Sequence, residues 1–233
     1  MDFEFLRAVR NLYYFDGRVA IINDDCRNVI AFFKEHRTRF NLMLCDPPYG
    51  VGKASGTRGT ERKHKHVYSK FEDTLENVRD NIIPVFTDFM TICDRSVVTP
   101  GPKAMCYYPQ PDSFGTFYQP AACGMQKWGY ADAQPIFYYG RDPRVGKTIS
   151  ASSYKLTERP PKNGHPCPKP IKAWTWLLNK ASVPGECIID PFMGSGTTLA
   201  IAREAERFAV GIEIEEEYCE IAVKSLRQNL LEL

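Results

Sequence analysis

Short, nearly continuous apolar runs alternate along this chain with stretches whose apolar residues recur every three or four positions. Val19-Ala20-Ile21-Ile22, Phe40–Cys45, Ser96–Thr99, Pro135–Tyr139, Glu186–Asp190 and Phe208–Ile212 are short runs bounded by turn residues, the pattern of buried strands. Helical spacing appears in Val29–Phe33, in Asn77–Cys93 (Val78, Ile82, Val85, Phe86, Phe89) and in Ile171–Lys180 (Ile171, Trp174, Leu177, Leu178). It appears again in Thr197–Arg207 and in a closing helix through Ile214, Tyr218, Ile221, Ala222, Ser225 and Leu226. Pro84 predicts a kink or restart, because proline has no N–H to give the helix. Ala104–Tyr108 reads as a strand piece after the turn Pro100-Gly101-Pro102. Phe114–Tyr118 and Gln126–Tyr130 are aromatic-rich but show neither period, and stay unassigned.

The final third runs strand, Gly-rich turn, helix, strand, helix. That order is a βαβ unit and predicts an α/β fold, Rossmann-like, with a doubly wound, mostly parallel sheet. At 233 residues the chain reads as a single domain, 1–233, with a basic loop expected over 50–73. Its 43% hydrophobic and 25% charged residues are those of a globular protein, and no apolar run approaches a membrane span. Met1–Arg10 has no signal-peptide core. The eight cysteines form no CxxC pair and share no ligand spacing with the four histidines. The expectation is reduced thiols in a cytoplasmic protein without a metal.

Candidate chemistry lies at two strand ends. Asp46 follows the buried run Phe40–Cys45, and Pro47-Pro48 then ends any ladder and holds Tyr49 in a rigid turn. Open α/β sheets place ligands at the carboxyl ends of their strands. Taken alone, the first stretch would pass for an ordinary Asp-Pro turn. The second stretch, Ile188-Ile189-Asp190-Pro191-Phe192-Met193-Gly194-Ser195-Gly196-Thr197-Thr198, puts glycines where a backbone must come close to a ligand. Glu213 stands 19 residues after Gly194, where an acidic side chain accepts hydrogen bonds from ribose hydroxyls. A nicotinamide dinucleotide would use the same feature. Asp190 at the mouth of the turn would repel a pyrophosphate, however, and suits an ammonium group.

Together, Asp46-Pro47-Pro48-Tyr49 and Asp190-Pro191-Phe192-Met193-Gly194-Ser195-Gly196-Thr197-Thr198 resemble the motifs of the S-adenosylmethionine-dependent amino-methyltransferases of nucleic-acid bases. The catalytic motif comes first, as in the circularly permuted (beta) class, which implies a permuted class I methyltransferase fold. The resemblance implies catalytic roles for Asp46, Pro47, Pro48 and Tyr49, and transfer to a flipped-out base in DNA, adenine N6 ahead of cytosine N4. RNA adenine remains an alternative substrate, and a non-catalytic binding subunit an alternative role. For S-adenosylmethionine it implies Phe192, Gly194 and Gly196 as pocket walls and Asp190 at the amino-acid end. Lys169 and Thr198 then fall near the methionine carboxylate, Glu213 at the ribose and Asp25 near the adenine, where Asp24 replaces the usual glycine. Cys26, Pro191, Ser195, Thr197 and Ile214 complete that set, with His165 and Pro166 from His165-Pro166-Cys167-Pro168-Lys169-Pro170, which keeps the fixed residues of the family's His-Pro-x-x-Lys-Pro element. Asp24 or Asp25 could equally be a helix N-cap.

Charge supplies the partner. Residues 53–70 hold six basic residues against one acidic, and 141–164 six against two, on a chain of net charge +2 whose remainder is therefore acidic. Two basic segments on an acidic body predict a polyanion met on one side. Lys53, Arg58, Arg62, Lys63 and Lys65 from the first segment, and Arg144, Lys147 and Lys155 from the second, are the candidate DNA contacts. In the permuted class, sequence reading is usually lodged in an insert that here spans only Asp142–Gly164 and reads as loop. So short an insert predicts a short or degenerate recognition site, or a homodimer or second subunit sharing the work. The origin implied is prokaryotic or viral.

Overall fold

The computed structural model describes residues 4–51, 71–119, 125–127, 129–146, 150–157 and 169–231. In chain order the strands are β1 (Leu12–Phe15), β2 (Val19–Asn23), β3 (Phe40–Cys45), β4 (Cys93–Val98), β5 (Ser113–Tyr118), β6 (Met125–Gln126), β7 (Gly129–Tyr130), β8 (Ala133–Tyr139), β9 (Tyr154–Lys155), β10 (Cys187–Asp190) and β11 (Phe208–Glu213). The helices are α1 (Cys26–Glu35), α2 (Leu75–Asn77), α3 (Ile83–Met90), α4 (Ile171–Ala181), α5 (Thr197–Glu204) and α6 (Glu216–Leu231). Nine strands form one sheet in the order β1-β2-β11-β10-β3-β4-β8-β5-β9, and β6 and β7 pair separately. From β2 to β4 every pairing is parallel, whereas β1 and β8 run antiparallel to their inner neighbours. The last two strands of the chain, β10 and β11, are inserted between β2 and β3, at the middle of the sheet.

Side chains alternate along each inner strand, so each strand feeds two cores. Ala20, Ile22, Met43, Cys45, Ile189, Val210 and Ile212 pack with Val29, Ile30 and Phe33 of α1 and with Phe86 and Phe89 of α3. Val19, Ile21, Leu42, Leu44, Ile188 and Ala209 pack on the other face with Trp174, Leu177 and Leu178 of α4, Leu199 of α5 and Leu226 of α6. Phe33, Phe40, Phe86 and Phe89 are essentially inaccessible, each worth about 1.5–3 kcal/mol of transfer free energy. The doubly wound α/β expectation therefore holds.

Several boundaries differ from the sequence reading, each for a local reason. The helix expected over Asn77–Cys93 is α2, a π-helical turn Val78–Ile82 and α3, with Thr74 capping the start. Pro84 falls in the first turn of α3, where its missing N–H costs least, so the π turn absorbs the break. Ala104–Tyr108 is not a strand. Gly101 takes φ +69° and Met105 N–H bonds its carbonyl at 3.1 Å, winding a 3-10 turn over Met105–Tyr107. The crossover helix stops at Glu204, short of Arg207. That side chain turns inward to the Ser182 carbonyl at 3.0 Å, while Glu206 takes a positive φ of 60°. β1 and the pair Tyr154–Lys155 were invisible in the pattern because they are edge strands of four and two residues. The second lies within Asp142–Gly164, which is thus not wholly loop.

Candidate functional site

Register brings the carboxyl ends of the parallel strands together. Cys45 of β3 lies beside Val98 of β4, Asp190 of β10 beside Gly211, and Glu213 of β11 beside Asn23 of β2. The residues just past these ends line one cavity. Asp46, Pro47, Pro48 and Tyr49 form one part of it, and Asp190, Pro191, Phe192, Met193, Gly194 and Ser195 another. Thr197, Thr198, Ile212, Glu213, Ile214, Lys169, Asp24, Asp25, Cys26 and Arg27 complete that wall. Every described member of the catalytic and cofactor sets is in this lining except Gly196. That glycine instead starts α5 in the left-handed region, φ +78°, where an added Cβ would sit 2.6 Å from that of Ala222. His165 and Pro166 lie outside the described residues.

Asp46 is held by donors from three separate segments, those after β3, after β4 and before α4. Tyr49 and Thr99 donate their hydroxyls to Oδ1, and Lys169 donates its ammonium to Oδ2. Gln134 of β8 donates an amide N–H to the Tyr49 hydroxyl. The Tyr49 ring fits only because residue 101 is glycine: a Cβ there would lie 2.5 Å from the ring. Thr99 and Gln134 were missed by the sequence reading. Their only signal is register, since they stand 53 and 85 residues from the groups they bind. The lining residues Val51, Phe71, Asp73 and Ile82 were missed for the same reason. Asp73 accepts the Gly50 N–H at 2.7 Å, so the described residues on either side of the first basic segment are bonded to each other.

Two buried carboxyls face the other part of the cavity. Asp190 accepts from Phe192 N–H at 3.0 Å and from the Thr198 hydroxyl at 2.6 Å, which in turn accepts the Trp174 indole N–H at 2.9 Å. Glu213 accepts from Gly194 N–H at 3.0 Å and Glu215 N–H at 2.9 Å. Burial pushes both carboxyls up to about 7, against the pull of these hydrogen bonds. Each group folds protonated near neutrality but ionises around 4 in the unfolded chain, so its contribution is complete below about 4 and is lost as pH rises to about 7. The unfolding midpoint of the ligand-free protein is expected to fall from pH 5 to 7.5, by roughly 2–4 °C for each kcal/mol lost. Glu213→Gln should flatten the slope. Calorimetry showing a rise over that window in wild type would refute this account.

Asp25 carries the N-cap of α1: its carboxylate accepts Arg27 N–H at 2.9 Å and is clasped by the Arg27 guanidinium at 2.5–3.0 Å. Burial raises this carboxyl, but the Arg27 bonds outweigh it and hold it below its ordinary value. Asp24 is spent on the turn, bonding Asp25 N–H, Asn28 and Asn11. Both still line the cavity. Of the candidate DNA contacts, Lys53, Arg58, Arg62, Lys63, Lys65 and Lys147 lie outside the described residues. Lys155 is exposed on β9, paired with Tyr118 at the cavity end of the sheet. Arg144 is at the opposite end: its charge acts on buried Arg207, at the start of β11. Among the described residues there is no group of three metal-ligating side chains and no helix long and apolar enough to cross a membrane. Five of the six described cysteines are buried, and all six are free.

The sequence profile of the DNA methylase family, the N6/N4 methylases, matches residues 108–224. The type II methyltransferase M.HpaI of Haemophilus parainfluenzae is 36% identical over 236 aligned positions, covering 86% of this chain and 73% of its own length. The chain therefore belongs to the DNA methylase family. M.SmaI of Serratia marcescens and M.HinfI of Haemophilus influenzae, also type II methyltransferases, match at 32% and 34% identity over 40% and 35% of this chain. Those stretches span only 32% and 23% of the two relatives' lengths. Among solved structures, the M1.HpyAVI–SAM complex superposes with a TM-score of 0.63 at 18% identity, over 89% of this chain and 98% of that one. The cytosine-N4-specific PvuII DNA methyltransferase gives 0.61 at 12% identity, over 94% and 96%. These two establish a shared fold, that of the class I methyltransferases.

Proposed function

We propose that this chain transfers a methyl group from S-adenosylmethionine to the N6 amine of an adenine flipped out of DNA, as a circularly permuted (beta-class) Asp-Pro-Pro-Tyr enzyme. The observation that carries the reading is one cavity with Asp46-Pro47-Pro48-Tyr49 on one side and Asp190, Gly194 and Glu213 on the other. Insertion of the C-terminal strands β10 and β11 between β2 and β3 supports the permuted order. The residues present fit the methyl donor. Buried Asp190 suits its ammonium and Glu213 its ribose hydroxyls, while Phe192 and Ile214 offer apolar wall to its adenine.

S-adenosylmethionine supplies an electrophilic methyl on a sulfonium. Everything else falls to the protein. A base amine is a poor nucleophile because its lone pair is delocalised into the ring. Asp46 accepting one N–H and the Pro47 carbonyl accepting the other draw the nitrogen toward tetrahedral geometry and free that pair. Catalysis is then orientation and electrostatics, with no covalent intermediate, and Asp46 takes up the proton that the methylated nitrogen sheds. The target must leave the duplex to reach this pocket. Tyr49, its hydroxyl tied between Asp46 and Gln134, offers the stacking face. Gln134→Ala should therefore lower kcat about fivefold, the worth of one neutral hydrogen bond, and leave donor affinity unchanged. An unaltered kcat would remove Gln134 from the site.

Asp at the head of the motif favours adenine by the family resemblance, and N4 of cytosine is the competing product. DNA is met through the basic loop and Lys155, in a cytoplasmic protein of prokaryotic or viral origin. Sequencing DNA from expressing cells with a modification-sensitive readout tests base and site together. Specific complexes bury about 1,000–2,500 Å² of protein, and the described part of Asp142–Gly164 offers one two-residue strand. The expected site is about 2–4 base pairs, or a longer one read by a homodimer or with a second subunit. N4-methylcytosine would reassign the base, and absence of any methyl transfer from labelled donor would overturn the function. A strict site of six or more base pairs from a monomer would overturn the site-size argument.

A further inference from the structure

Lys169 stands between the two halves of the cavity. The family resemblance assigns it to the methionine carboxylate, yet its ammonium lies on Asp46, with the two side chains only 23% and 11% exposed. It also acts on buried Asp190, at the end of the neighbouring strand, and its Nζ is 5.9 Å from the centre of the Trp174 ring. It belongs to no helix: Pro170 is the N-cap of α4, so the lysine is carried by the approach to that helix on four rotatable bonds.

Asp46 has about four lone-pair sites, and Tyr49, Thr99 and Lys169 already use three of them. Two of those donors are neutral hydroxyls. The third carries a full charge and makes the stronger bond, so it is the main competitor of an incoming amine. A negatively charged group in the donor half of the cavity would compete for the same ammonium, and S-adenosylmethionine brings such a group in its α-carboxylate.

We propose that Lys169 couples the two substrates: it caps Asp46 in the free enzyme, and the carboxylate of the methyl donor draws it off, opening Asp46 to the amine of the flipped base. This inference rests on the function proposed above. Lys169 is thus a positioning residue, acting through Asp46. The coupling is reciprocal, so a base engaged with Asp46 strengthens donor binding by the same factor. It also demands a carboxylate. A nucleoside ligand that fills the adenosine part alone leaves the cap in place.

The test is base flipping rather than turnover. An oligonucleotide bearing a fluorescent base analogue at the methylated position is titrated with wild-type enzyme, alone and with saturating S-adenosylhomocysteine or 5′-methylthioadenosine. S-adenosylhomocysteine should tighten flipping about tenfold, and 5′-methylthioadenosine, which lacks the carboxylate, less than about twofold. Lys169→Met should flip the base more readily without any ligand, and should lose the difference between the two ligands. Lys169→Arg should restore part of it. Equal effects of the two ligands on wild type, or an undiminished S-adenosylhomocysteine effect in Lys169→Met, would overturn the proposal. Failure of the underlying function shows itself separately, as no methylated base and no S-adenosylhomocysteine binding by wild type.

Discussion

Asp46→Ala is expected to lower methyl transfer by roughly 10³–10⁴-fold without weakening the binding of S-adenosylmethionine. The asymmetry follows from where the carboxylate points. Asp46 accepts from Tyr49, Thr99 and Lys169, on the Asp-Pro-Pro-Tyr side of the cavity. The buried carboxyls Asp190 and Glu213 have their own hydrogen-bond partners in Phe192, Thr198, Gly194 and Glu215, a set different from that of Asp46. Removing Asp46 also releases Lys169, so any change in donor affinity should be toward tighter binding. Asp46→Asn is the control for packing. It keeps the volume, turns one acceptor into a donor facing the amine, and should be nearly as inactive. Radiolabelled methyl transfer together with calorimetric binding of the donor measures both quantities. Substantial activity in either variant would mean that the amine is activated elsewhere.

How much of this was legible in the chain depended on whether neighbours in space were neighbours in sequence. Asp46, Asp190 and Glu213 each end a contiguous apolar run, so their places at strand ends followed from local pattern. That all three would open into one cavity followed from parallel pairing of those runs. Thr99 and Gln134 were not legible, because their contacts with Asp46 and Tyr49 exist only through the β3–β4 and β4–β8 registers. The strand containing Gln134 was read as starting at Pro135, a proline being an ordinary strand opening; β5 pairs with it from Ala133 onward. The run Ala104–Tyr108 was apolar enough for a strand, but Gly101 had to bend around the Tyr49 ring, and tertiary fit overrode propensity. Asp25 shows a limit of a different kind. A short polar residue before a helix is both a good N-cap and a good ligand group, and here the cap is made in full while the residue still lines the cavity.

Glu213→Ala should do the reverse of Asp46→Ala. Its carboxylate lies at the end of β11, 8% exposed, and holds the Gly194 and Glu215 N–H groups at 3.0 and 2.9 Å. Donor affinity is expected to weaken by about 1.5–3 kcal/mol, roughly 10–150-fold in Kd, because ribose hydroxyls lose a charged acceptor and Gly194 loses the partner that fixes the turn. Turnover at saturating donor should change far less, since the hydrogen bonds of Glu213 run to Gly194 and Glu215 and not to Asp46. The protonation state adds a second signature. Burial holds the free carboxyl at about 7, while the better acceptor for two hydroxyls is the anion, so donor binding should release a proton below that pH. Wild-type affinity should then rise with pH up to about 7 and level off above it. Asp190 titrates in the same range and is the residue proposed to meet the donor's ammonium, so it should contribute in the same direction and leave part of the slope in Glu213→Gln. Calorimetry in two buffers of different ionisation enthalpy counts the protons. A Kd unchanged by Glu213→Ala would reduce this residue to a turn-forming carboxylate at the start of α6, and would take the ribose contact away from the end of β11.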